Sequence, residues 1–188
     1  MSRPLLPSLF IGGHEFSLAE LSAARLDGEL VGVGHAFAAI GECVDHRHRA
    51  ASLAADVPPG STVVGRSAAW LYGGSGPAPR RLELGVAGPA TRWATPFRTI
   101  RSMRNRPEHR ERLGIAGASV AALSPVSTVI DLARISGRPG DERLVSAVMA
   151  RLALSADDVF AVLDDWTHLP GKQAIAERLE NALGLSRR

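Results

Sequence analysis

The stretch "SPVSTVIDLARISG", residues 124–137, sets a single acid between Ile130 and Leu132 in an otherwise apolar run. Ser124 is a natural N-cap, Pro125 suits the first helical position, and Gly137 follows as a stop, so the segment reads as a helix. On that helix Asp131 lies four residues beyond Ser127, on a face near Thr128 and Arg134. A carboxylate buried without partners is costly. Whatever packs against this helix must therefore bring donors to it. We expect Asp131 to be a structural buried acid, paired with an arginine or capping a neighbouring backbone.

Other segments are punctuated as clearly. Ser17-x-x-Glu20 is a capping-box pattern, and Leu18, Leu21, Ala24 and Leu26 lie roughly along one helical face. Two short β runs follow, Leu30–Val33 and Ala36–Ile40, around the turn Gly34-His35. A helix leading directly into a hairpin is either a plain helix–hairpin packing unit or the back half of a winged helix. The 16 residues before Ser17 carry no helical period, so its front half is not expected. Residues 45–57 read as a short helix ended by Pro58-Pro59-Gly60, and Arg66–Tyr72 as another closed by Gly73-Gly74. Strands are expected in "RRLELGVAG" and over Phe97–Met103, with two more in "LGIAGASVAAL" turning at Gly117. Helices over Asp141–Leu152, Ala156–Trp166 (capped by Ser155) and Pro170–Leu183 complete the chain. The class expected is α+β: a partial winged-helix segment over residues 1–44, then a mixed α/β domain over 45–188 with a helical C-terminal layer.

With 188 residues and 45% hydrophobic content, the chain can build a core without a covalent staple. Its one cysteine, Cys43, excludes an internal disulfide and is expected as a small buried residue. No apolar run reaches the roughly 18–20 residues of a membrane span, and the N-terminus lacks a continuous signal-peptide core. A cytoplasmic protein without membrane contact is expected.

Little catalytic chemistry is legible. Ser75 in "GGSGP" lacks the nucleophile elbow. His46 and His48 stand two apart on a helix and point to different faces, which disfavours shared metal ligation. No phosphate-cradling or dinucleotide motif occurs. The pairs Asp157-Asp158 and Asp164-Asp165 repeat on one helical face; paired acids can hold Mg²⁺ for nuclease chemistry, but a cap and a solvated face fit them better. We expect neither enzyme activity nor a cofactor or metal.

Three stretches in order resemble one family. "VVGRSAAWLYGG" is similar to the Ser-Ala-Ala-x-Leu-x-Gly helix of AbiEi-type antitoxins, the antitoxin half of type IV toxin–antitoxin pairs. "ALSPVSTVIDLAR" resembles their Thr-Ser-Pro-x-x-Thr-x-x-Asp-Leu-Ala segment, and "ELVGVGHAFAAI" falls where they carry the wing hairpin. Where the family wing has Arg-Gly-Val-Tyr, this chain has Val33-Gly34-His35-Ala36-Phe37. The resemblance implies the scaffold first, then transcriptional regulation and DNA binding. It also implies a nucleotidyltransferase-like toxin encoded nearby, which the antitoxin can counter without binding it.

Charge is strongly segregated. Residues 1–64 carry 4 basic and 7 acidic groups, residues 65–112 carry 10 and 3, and residues 113–188 carry 8 and 9. The middle block is therefore net +7, between acidic flanks. Within it stand Arg98, Arg101, Arg104, Arg106, Arg110 and Arg112. On a strand, Arg98 shares one face with Ile100, and Arg101 shares the other with Phe97; the last four arginines are expected in a loop, free to cluster. Such a stripe, with no aromatic interleaving, suits DNA phosphates. The alternative is a protein-interaction module whose basic block meets an acidic partner, or neutralises the chain's own acidic segments within one molecule or across an oligomer.

Overall fold

The computed structural model describes residues 9–13, 15–74, 76–87, 98–102, 109–115, 117–135, 140–166 and 169–185, with only the backbone of 98–102. The fold is α+β, with seven helices and two sheets among the described residues. The chain forms two compact units. One comprises residues 1–56 with 113–120, the other 57–112 with 121–188.

In the first unit, β1 (Phe10–Ile11), α1 (Leu18–Leu26), β2 (Leu30–Val33) and β3 (Ala36–Ala39) are followed by α2 (His46–Ser52) and a 3-10 turn over Ala54–Asp56. The reciprocal Ser17–Glu20 cap forms at the start of α1. The three strands are antiparallel in the order β1-β3-β2. Strand β1 has no periodic signal of its own; it exists because Phe10 and Ile11 pair with Phe37 and Ala36. The apolar face expected on α1 is corrected by its burial. Leu21 is enclosed, whereas Leu18 and Leu26 are 62% and 89% exposed. Cys43, expected inside, is also exposed. The helix expected over 45–57 ends at Ser52 and tightens into the 3-10 turn.

The second unit opens with β4 (Ser61–Val63), α3 (Gly65–Leu71), β5 (Leu82–Val86) and β6 (Arg98–Ser102). It continues with β7 (Arg110–Ile115), β8 (Ala118–Leu123) and helices α4 (Pro125–Ile135), α5 (Asp141–Leu152), α6 (Ala156–Asp165) and α7 (Lys172–Ala182). The outer part of the β7–β8 hairpin groups with the first unit. Five strands run in the order β6-β5-β4-β8-β7. Strand β4 pairs antiparallel with β5 and parallel with β8, and β5 pairs parallel with β6. Helix α4 is the hub of the helical layer: residues 127–133 are buried without a break, and it packs against α3, α5, α6 and α7. Seven consecutive buried residues cover every side of the helix, and each fully buried Leu or Ile contributes roughly 1.5–3 kcal/mol. Asp131 sits in the middle of that helix.

No helix among the described residues is long and apolar enough to cross a membrane.

Candidate functional site

Helix α3 begins at Val64, whose side chain supplies no cap hydrogen bond. Its first backbone N–H groups therefore need acceptors from elsewhere. Two buried carboxylates provide them. Asp131 Oδ2 accepts from the Gly65 N–H at 3.0 Å, and Glu83 Oε2 accepts from the Arg66 N–H at 3.0 Å. The Glu83 N–H in turn donates to Ser67 Oγ at 2.9 Å. Two arginines pair with acids of the cluster: Arg134 Nη2 donates to Asp131 Oδ1 at 3.0 Å, and Arg66 Nε donates to Asp141 Oδ1 at 2.7 Å. Glu83, Asp131 and Asp141 are all buried. The cluster joins β5 and helices α3, α4 and α5 at one end of α3. Of its three acids, only Asp131 stood out in the sequence. Glu83 lies on a strand where alternation suggests an outward residue; it turns inward onto α3. Every acid oxygen named here accepts from a fixed donor, an arrangement suited to holding elements together.

The far end of α3 is tied as well. The Tyr72 hydroxyl proton is shared between the Glu111 carboxylate on β7 and the Leu123 carbonyl oxygen, 2.6 Å away on β8. Burial, and then Glu111 beside it, push the Tyr72 phenol far above its ordinary value. The fold thus holds the neutral phenol. That contribution to stability is whole below about pH 10, where an unfolded tyrosine titrates, and is lost as pH rises beyond it. Tyr72 is the chain's single tyrosine, so phenolate absorbance reads it alone. The expected result is no phenolate signal until alkaline unfolding. A reversible rise centred near pH 10 in folded protein, about the value of a free tyrosine, would refute the assignment.

The six arginines divide. Arg98 and Arg101 lie on β6, and Arg110 and Arg112 on β7. These are the two outer strands of the sheet, four steps or about 19 Å apart at the usual strand spacing. Arg104 and Arg106, and the side chains of Arg98 and Arg101, lie outside the described residues. The loop expected to hold Arg110 and Arg112 is corrected: both are strand residues. Arg110 Nη1 reaches Thr62 Oγ1 at 3.3 Å, while Arg112 is exposed. The register also brings in a pair that the list of six omits. Leu82 pairs with Arg98, so exposed Arg80 and Arg81 enter the sheet beside the start of β6. The signal was available: an Arg-Arg dipeptide directly before an alternating strand.

No family model matches the chain, and no curated protein is significantly similar to it.

Three other sequence candidates have local partners, and Ser75 lies outside the described residues. His48 Nδ1 lies 2.7 Å from Asp45 Oδ1 and closes the cap of α2. Asp158 completes the Ser155 cap of α6, and Asp164 pairs with Lys172 at 3.0 Å. Among the described residues no group of three or more His, Cys, Asp or Glu side chains could hold a metal ion. An apolar groove of about 530 Å³ lies along α5, bounded by Met149, Ala150, Leu154, Leu183 and Leu185. Ser146 at its edge donates to the Ala182 carbonyl.

Proposed function

We propose that this protein is a non-enzymatic antitoxin or transcriptional regulator similar to the AbiEi type, and that it contacts the DNA backbone through its arginine-rich block. One observation carries the scaffold part of this reading. The two segments that most resemble the family, around "VGRSAAWLYGG" and "SPVSTVIDLAR", are joined directly by the Gly65–Asp131 hydrogen bond. The family-like residues thus serve one another in a single structural knot.

The DNA part rests on charge. Ten basic and three acidic residues between 65 and 112 make a field that attracts phosphates. Placing arginines on both outer strands suits spaced contacts along a duplex, which position a protein without reading bases. A nucleotidyltransferase-like toxin is the corresponding partner, opposed through expression without a requirement for stable contact.

The test is fluorescence anisotropy of duplex DNA at several salt concentrations. Wild-type affinity is expected to fall with a log–log slope of roughly −0.9 per phosphate neutralised. The triple variant Arg104→Ala, Arg106→Ala, Arg112→Ala should bind all sequences more weakly and flatten that slope by up to about three contacts' worth. Arg110 is left in place because it also bonds Thr62. Absence of wild-type binding at low salt removes the DNA reading.

A further inference from the structure

The outer face of α1 is largely exposed at Leu18, Ala19, Ala23 and Leu26, with Leu18 bordered by Gly12, and its composition suits a partner. Leu18, Ala19, Ser22, Ala23 and Leu26 fall within about 140° of the helix circumference at 100° per residue. Leu21, which is buried, lies away from that arc. Leu18 and Leu26 stand about two turns apart along the helix axis. The small residues between them allow a second helix to approach closely. Ser22 adds no orphan polar group, because its hydroxyl donates to the Leu18 carbonyl at 2.6 Å. Phe16, Val31 and Ile40 are exposed in the same unit. Of the large apolar side chains exposed in the described chain, only Leu185 lies elsewhere.

Charge decides what can cover this face. Between Phe10 and Asp45 the chain carries six acids (Glu15, Glu20, Asp27, Glu29, Glu42 and Asp45) and one base, Arg25. Arg25 lies back toward Gly32 on β2. Hydrogen bonds from Ser17 hold the Glu20 carboxyl below the usual range, so it stays charged. Glu20 and Asp27 border the exposed arc beyond Ala23, a setting that suits a basic partner better than phosphate, even though α1 directly precedes a wing-like hairpin. A second copy of the same face would set acids against acids.

We infer that the outer face of α1 docks a basic amphipathic helix of a partner protein, its apolar stripe on Leu18, Ala19, Ala23 and Leu26 and a Lys or Arg flank on Glu20 and Asp27, which border that stripe beyond Ala23. This is separate from the arginine-block reading and survives its failure.

The probe is a synthetic helix of about 20 residues, long enough to hold its own helicity. It carries leucines along one face and lysines on both flanks; a matched peptide carries glutamates on the flanks. Each is titrated against the full chain and against Leu26→Glu. That variant alters an exposed side chain and adds a negative charge, so purely electrostatic binding would tighten. The inference predicts binding of the basic peptide, none of the acidic one, and at least about tenfold weaker binding to Leu26→Glu, the factor expected from one lost leucine contact. Binding of both peptides alike, binding of neither, or undiminished binding to Leu26→Glu overturns it. So does a wild-type dimer, seen by sedimentation, that Leu26→Glu converts to monomer, because the occupant would then be a second copy.

Discussion

Gly65→Ala is expected to destabilise the protein by about 3 kcal/mol, combining left-handed backbone strain with the stranding of a buried hydrogen-bond partner. Gly65 has φ +56, and a Cβ built there would lie 1.9 Å from Glu83 Oε2. The carboxylate is the tip of a flexible side chain and can swing aside. Swinging breaks its bond to the Arg66 N–H, and Glu83 is only 6% exposed, so water cannot replace that partner. Gly60→Ala is the natural control. It also has positive φ, +81, but nothing lies within 4 Å of the added Cβ. It should lose only the backbone part, roughly 1–2 kcal/mol. Urea melts of both variants measure the difference directly. Equal losses would mean that the Glu83 contact relaxes freely and carries no weight.

Asp131→Ala should cost a similar amount by a different route. It strands the buried Gly65 N–H and removes the partner of Arg134. Breaking a fully buried ion pair costs roughly 3–5 kcal/mol. The Arg134 side chain is 38% exposed and can rehydrate, which sets the expectation at the low end, about 3 kcal/mol. Asp131→Asn keeps an oxygen for the Gly65 N–H but turns its NH2 toward Arg134; that partly exposed arginine can swing into water, so a smaller loss of about 1 kcal/mol is expected. The order Ala well above Asn identifies capping of α3 as the main role. Equal losses would shift that role to the charge, and an Ala variant as stable as wild type would remove the cluster from the account of stability.

What could be read in advance follows the range of each interaction. The Ser17–Glu20 and Ser155–Asp158 caps span three residues and were legible as strings. The need of Asp131 for partners was legible from its apolar neighbours, and Arg134 stands only three residues away. Its other partner, Gly65, is 66 residues distant, and no local pattern points to it. Strand β7 was read as starting at Leu113, where apolar alternation begins, but it starts at Arg110. An outer strand tolerates charged residues that break the alternation. Leu26 continues a periodic apolar pattern with Leu18, Leu21 and Ala24, yet it is exposed. Periodicity says which residues share a face, not whether anything covers it. For the functional reading, charge segregation was visible in the sequence. The strand order divides the block between two edges, which no linear count reveals.

The parallel pairing of β4 with β8 also bears on how the chain is made. Thr62 faces Gly85 on one side and Ala121 on the other, so its partners lie 23 and 59 residues downstream. At a synthesis rate of about 5–20 residues per second, a nascent chain carries β4 for several seconds before β8 emerges. During that interval a strand that ends up fully buried, Ser61–Val63, has one ladder edge open. Loop-closure entropy must also be met before that long-range pairing returns any stabilisation. Assembly of the second unit is therefore held back until residue 123 has left the ribosome, while the α1–β2–β3 segment, whose contacts are nearly all local, can organise first.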